Sequence, residues 1–347
     1  MTRTHTSRTA LWVAVIATAV LAACARGPAG PQGETGQTGL PGQTLDWSDT
    51  IADANLADSV YAIGLYGPDP WDPEQITFFV VGTGFSAHYD DVIWTNGHVA
   101  DALQETLDRV AESFPELVDQ IDPVAIRSGT RAGGQGTYFL DLGSVLYHPG
   151  YDPELEADGN TTPDLAMFRI EASLKDVPRL LPRHMVTQLR VGQPIGTLGL
   201  PGELQELYGM LPLATFKDGT ISALRPYSPD EPAITPENSR LLQHNLDLTG
   251  GTSGSAIFDH RGFIIAVNFA GYGTVIPVPE PDGMEVVPHL IPMNLGLAIR
   301  VDEVWAMVDL IDREEAGPPS TPPGSAYPYD SYQAFPENWN GLTRGPE

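Results

Sequence analysis

Three residues far apart in the chain carry side chains that together could perform acyl transfer. Ser253 sits in GGTSGSAIFD, a glycine-rich turn ahead of an apolar strand. A serine hydroxyl is a poor nucleophile until a base takes its proton and fixed donors meet the oxyanion that develops. Gly251 and Gly254 permit a backbone tight enough to aim the N–H groups of Gly251 and Ser253 at one point. His98, in Thr95-Asn96-Gly97-His98-Val99, follows an Ile-Trp-Thr strand and opens a helical stretch, which makes it the candidate base. Asp164 follows Pro163 and leads directly into the apolar run Leu-Ala-Met-Phe. A carboxylate there could hold a histidine in one tautomer, or it could be an ordinary turn aspartate.

Such residues need a rigid scaffold. The runs VYAIGLYG, ITFFVVGTGFSA and VIWT read as strands, separated by turn signals at Gly67-Pro68-Asp69 and His88-Tyr89-Asp90-Asp91. From Val99 to Val118 the pattern changes, because Leu103, Leu107, Val110, Phe114 and Leu117 recur every three or four residues as one face of a helix. Pro115 weakens its last turn. Strand-like runs resume with PVAIR, TYFLDLGSVLYH, DLAMFRI, IGTLGL, DGTISAL, LLQHNL, SAIF, GFIIAVNFA and LGLAIR, and VDEVWAMVDLID closes the body as a helix. The 36 Gly and 32 Pro among 347 residues favour short strands joined by turns. A folded body over residues 51–312 with this many strands suits an all-β fold of two packed Greek-key barrels.

The three segments resemble those of trypsin-like serine peptidases, especially the bacterial Deg/HtrA-like and glutamyl-endopeptidase-like branches. Thr95-Asn96-Gly97-His98-Val99 is similar to their histidine motif. His148-Pro149-x-Tyr151, followed by Asp164-Leu165-Ala166-x-Phe168-Arg169, is similar to the segment that carries their buried aspartate. The order His98, Asp164, Ser253 is that of the trypsin-like class and not of subtilisins or α/β-hydrolases. GFIIAVNFAG and NLGLAIRV resemble the strands that line the cleft and close the second barrel, so the likeness covers about residues 55–312. It implies two six-stranded barrels, a His98–Asp164–Ser253 triad, protein or peptide substrates, and no cofactor or metal. Ser255-Ala256 departs from the family's usual Gly or Ser followed by Pro, and no PDZ-like domain follows the barrels.

The resemblance also places substrate-pocket walls at Asp247 to Thr249 and Asn268, Phe269 and Ala270. Asp247 stands six residues before Ser253, where trypsins bind Arg or Lys side chains. A structural hydrogen-bonding role is the favoured reading, which predicts no exclusive preference for Arg or Lys before the scissile bond.

The ends of the chain bear on location. Arg3 and Arg8 precede an apolar run from Ala10 to Ala23, the layout of a secretory signal peptide. Leu21-Ala22-Ala23-Cys24 resembles the bacterial lipobox, and Cys24 is the only cysteine. Residues 1–23 then form a lipoprotein signal peptide, and a lipid on Cys24 anchors an exported protein to the cell envelope, at the outer membrane in a Gram-negative cell. The alternative is a plain signal peptide with an incidental cysteine. Glycines 27, 30, 33, 36, 39 and 42 keep a strict period of three, a collagen-like tract within residues 24–50. Six triplets make a spacer or, if three chains wind together, a homotrimer. Residues 313–347 are rich in Pro and Tyr and read as a disordered tail. The net charge of −27 argues against a nucleic-acid partner. Two function classes remain: an endopeptidase acting on envelope or extracellular proteins, and a catalytically silent trypsin-fold scaffold lipoprotein.

Overall fold

The computed structural model of the chain describes residues 46–157, 161–204, 207, 209–228, 230–246, 248–279 and 286–316. The signal segment, Cys24, the collagen-like tract and Asp247 lie outside the described residues, as does the tail beyond Ala316.

The first half is built on seven strands: β1 (Val60–Pro68), β2 (Ile76–Phe85), β3 (Val92–Thr95), β4 (Asp122–Arg127), β5 (Thr137–Phe139), β6 (Leu146–Tyr147) and β7 (Ala166–Arg169). They form one antiparallel sheet in the order β5-β4-β1-β2-β3-β7-β6. Its apolar runs are almost continuous because both faces are covered. Tyr61, Ile63 and Leu65 of β1, with Ile93 and Phe168, pack on one side against Val99, Ala100 and Leu103 of α1 (Gly97–Ser113). Val60, Ala62, Val92, Trp94, Val124 and Ile126 face the other way and join the core shared with the second half.

That second half is a closed six-stranded barrel of β8 (Pro194–Gly199), β9 (Thr215–Arg225), β10 (Leu241–His244), β11 (Ala256–Asp259), β12 (Ile264–Pro279) and β13 (Val286–Arg300), in the order β10-β13-β12-β11-β8-β9. The all-β, two-barrel expectation is met, with seven strands in place of six on the first side. β12 and β13 run on together past the barrel, paired from Gly273 with Pro292 to Pro279 with Val286. The expected single strand over TYFLDLGSVLYH is instead split. A 3-10 turn at Leu142–Ser144, capped by Asp141 accepting from the Gly143 N–H at 2.9 Å, separates β5 from β6.

Two helices seal the body. A short helix, Trp47–Asp53, precedes β1 and straddles the expected boundary at residue 50 between spacer and folded body; Trp47 packs against Phe216 and Phe258 with ring centroids 5.9 and 5.8 Å away. The closing helix α2 (Val301–Ala316) runs four residues beyond the expected end of the body. At its start Asp302 pairs with Arg240 and with Arg300, whose side chain is 2% exposed and also donates to the Pro236 carbonyl at 2.6 Å. Buried charges of this kind persist only when paired and hydrogen-bonded. Glu303 reaches across to His148 in the first half, with Oε2 3.3 Å from Nε2, a close approach without hydrogen-bond alignment.

Candidate functional site

Antiparallel pairing of β3 with β7 sets Thr95 opposite Ala166. The residue three beyond Thr95 and the one two before Ala166 therefore meet at the same end of the pair. They are His98 and Asp164. The Asp164 carboxylate is fully buried and takes two bonds from one residue: the His98 backbone N–H at 2.9 Å on Oδ1, and Nδ1 of its ring at 2.5 Å on Oδ2. The first bond has a second purpose. The opening N–H groups of a helix lack partners within it, and Asn96 at the N-cap makes no side-chain cap; its amide N–H donates to the Asp164 carbonyl at 2.7 Å. Asp164 caps α1 in its place, its charge at the favourable end of the helix dipole. The ring is thus fixed through Nδ1, while the His98 side chain stays 39% exposed.

The segment 148–151 presses on this corner. Tyr147 and Tyr151 stack with centroids 5.7 Å apart, and both hydroxyls donate to Asp101 of α1, at 2.8 and 2.7 Å. Burial and the Asp101 carboxylate push the Tyr147 phenol well above its ordinary range. A Cβ at Gly97 would come 2.6 Å from the Tyr151 ring, so glycine is needed one residue before His98.

Ser253 arrives from the second barrel on the turn between β10 and β11, half-buried. Gly251 and Gly254 both have positive φ, +85° and +84°, a region L side chains rarely adopt. The turn is stitched to the first sheet by Thr83 of β2. The Thr83 N–H donates to the Ser253 carbonyl at 2.9 Å, and its hydroxyl donates to the Gly251 carbonyl at 2.7 Å. A Cβ at Gly254 would strike the Thr83 carbonyl oxygen. Among the described residues neither the Gly251 nor the Ser253 N–H has a backbone acceptor.

Behind the turn lies a buried polar set. Ser255 donates to the Thr252 carbonyl at 2.7 Å and Thr197 to that of Ala256 at 2.8 Å. With both hydroxyl protons committed, the Asn268 amide must donate to the two oxygens, at 2.8 and 3.2 Å. Its Oδ1 then faces inward without a hydrogen bond, and so do both ring nitrogens of the fully buried His244. Desolvation holds the His244 imidazole down at about 4; Asn268 opposes that shift, approaching the ring without a hydrogen bond of ordinary geometry.

Of the residues expected to wall a pocket, Thr249, Phe269 and Ala270 are half-buried beside the turn. Asn268 is 1% exposed, and its amide is spent supporting the turn that carries Ser253. Among the described residues no group of three or more His, Cys, Asp or Glu could hold a metal ion.

The profile of the trypsin-like peptidase domain family matches residues 82–267, more than half of the chain and a span that includes His98, Asp164 and Ser253. The chain belongs to this family. No curated protein matches it. Among solved structures it is similar to the HtrA-type protease AlgW with a decapeptide, at 19% identity and a TM-score of 0.45, covering 78% of this chain and 68% of that one. It is also similar to AlgW with a tripeptide, at 17% identity and a TM-score of 0.44, covering 78% and 64%. The chain thus spans about two thirds of the length of these proteases.

In this trypsin-like peptidase domain the departure at Ser255-Ala256 has a structural reason. The Ser255 hydroxyl is a full member of the network under the turn, donating to Thr252 and accepting from Asn268. Sequence reasoning missed Thr83 and Asp101. The only signals for them were the strand motif Gly82-Thr83-Gly84 and an acid one helical turn beyond His98.

Proposed function

We propose that this chain is a serine endopeptidase that hydrolyses peptide bonds of envelope or extracellular proteins. His98 is the base, Asp164 its orienting partner and Ser253 the nucleophile. The observation that carries the reading is the double grip of Asp164 on His98, beside a glycine turn from the other barrel. Held by its Nδ1–H, the ring offers Nε2 to the Ser253 hydroxyl proton. As that proton moves, Oγ bonds to the substrate carbonyl carbon, and the N–H groups of Gly251 and Ser253 meet the oxygen that becomes negative. His98 then gives the proton to the departing amine as the C–N bond breaks, leaving an acyl-serine. Water repeats the sequence and releases the acid and the free hydroxyl.

The half-buried Thr249, Phe269 and Ala270 are the proposed walls of the substrate pocket. Attachment to the envelope would come from lipid on Cys24, with the collagen-like tract as spacer. The rival, a silent scaffold on the same fold, is separated by one experiment. A fluorophosphonate probe should label the parent at Ser253, and labelling should vanish in Ser253→Ala. An unlabelled parent that matches the family's circular dichroism signature would favour the scaffold.

A further inference from the structure

Gly251 lies between two peptide planes, and each is held by its carbonyl. In the plane before it, the Gly250 carbonyl accepts from the Gly202 N–H at 2.6 Å. A trans peptide points its N–H away from its C=O, so this bond turns the Gly251 N–H away from Gly202. In the plane after it, the Gly251 carbonyl accepts from the Thr83 hydroxyl at 2.7 Å. The same hydroxyl accepts from the Leu200 N–H at 3.1 Å, and the Thr83 carbonyl accepts from the Thr95 hydroxyl, three residues before His98, at 2.8 Å. Thr83 is fully buried. With both planes pinned, φ and ψ of Gly251 have no freedom left, at a residue type that otherwise visits many conformations.

From this convergence we infer that Thr83 is a positioning residue: its hydroxyl holds the peptide plane after Gly251, which together with the Gly202 bond on the plane before it keeps the Gly251 N–H from turning away, and it ties formation of the oxyanion site to the seating of the two barrels. It rests on the proposed use of that N–H as an oxyanion donor. Thr83 touches no substrate. The grip comes from the first sheet, so the second barrel alone holds only one of the two planes.

The experiment is active-site titration with a fluorophosphonate, followed by single-turnover cleavage of a peptide ester, on the full chain. Thr83→Val keeps the shape and removes the hydroxyl. Its acylation rate per titrated site should fall by about 10- to 100-fold, bounded by the loss of about 10²–10³ for removing an oxyanion donor outright. The fall should lie in kcat and not in KM, because only the transition state carries the charge. The pH dependence of the rate should keep its midpoint, since the bonds between His98 and Asp164 are untouched. Thr83→Ser should restore the rate to within about threefold. A purely structural role predicts fewer titratable sites at an unchanged rate per site, and that outcome overturns the inference. So does a Ser variant as slow as the Val variant. If Thr83→Val does not fold, Thr83→Cys carries the same test with a weak donor in place, and a parental rate per site would again overturn the inference. A parent that takes up no probe at Ser253 would remove the peptidase reading itself, and this inference with it.

Discussion

Replacing Asp164 by Asn tests the arrangement at its most informative atom. The parent carboxylate accepts the His98 N–H on Oδ1 and the ring Nδ1 on Oδ2, whereas an amide offers one acceptor and one donor. The helix decides which way it turns. The His98 N–H is one of the orphan donors of α1 and is satisfied by the Asp164 side chain, so the amide oxygen stays there and its NH₂ faces Nδ1. The ring must then carry its proton on Nε2, the atom that should receive the Ser253 proton. A loss of about 10⁴ in kcat is known for this change in the enzyme class, equivalent to about 5 kcal/mol of transition-state stabilisation. Because the cap on α1 survives, stability should fall by only about 1 kcal/mol. Asp164→Ala loses cap and orienter together and should be clearly less stable. Single-turnover cleavage of an unfolded protein gives the rate, and urea unfolding the stability. An Asn variant within about tenfold of the parent would refute the tautomer argument.

The remaining expectations follow from separate features. Ser253→Ala should cost about 10⁶ in kcat, and adding His98→Ala should cost little more because the two act in one proton-transfer unit; kinetics of the two variants at matched circular dichroism check this. The His244 imidazole titrates near 4 when folded, against an ordinary value of 6.5, so between those values the unfolded chain binds a proton that the folded one does not. Stability should therefore fall as pH drops through that window, by about 3 kcal/mol from this residue, and His244→Asn should flatten that part of the slope in urea unfolding at pH 7 and pH 4.5. Cys24→Ser should abolish metabolic fatty-acid labelling; label kept by the variant, or absent from the parent, would end the anchoring proposal.

Much of the scaffold was legible because its strands are short, apolar and separated by turn residues. VYAIGLYG, VIWT and PVAIR correspond to β1, β3 and β4. The face of α1 was legible from its spacing, but its end was not. Leu117 continues the period, yet the helix stops at Ser113 and Phe114 leaves helical geometry ahead of Pro115, as a residue before proline tends to. The run of β12 and β13 beyond Ala270 was illegible for a related reason. Pro277 pairs with Pro288, and two prolines read as turn signals although each strand of a two-stranded ribbon has a free edge that tolerates them. For the site, glycine and histidine motifs carried the signal. The bonds of Thr83 did not, since they run from one hydroxyl to backbone groups 117 and 168 residues away. No local pattern encodes a partner whose chemistry is only that of a backbone N–H or carbonyl.

The division of the site between the halves has a consequence for how it must assemble. His98 and Asp164 are fixed to each other inside the first sheet by one helix start and one strand pair, so this part of the site can form as soon as β3, β7 and α1 do. Ser253 and its two glycines belong to the other barrel, where Asn268, Ser255 and Thr197 support the turn from beneath. What neither half contains is the register between them. That register is supplied across the seam by backbone groups meeting Thr83 and, at a distance from the site, by the approach of Glu303 on α2 to His148. The Thr83 contacts are with a fully buried residue, where a lost partner leaves a desolvated polar group and costs more than the bond's net worth. A slip of the barrels is therefore opposed at the seam beside Ser253. The proposed nucleophile and its proposed base are held in register by groups assigned no part in the chemistry.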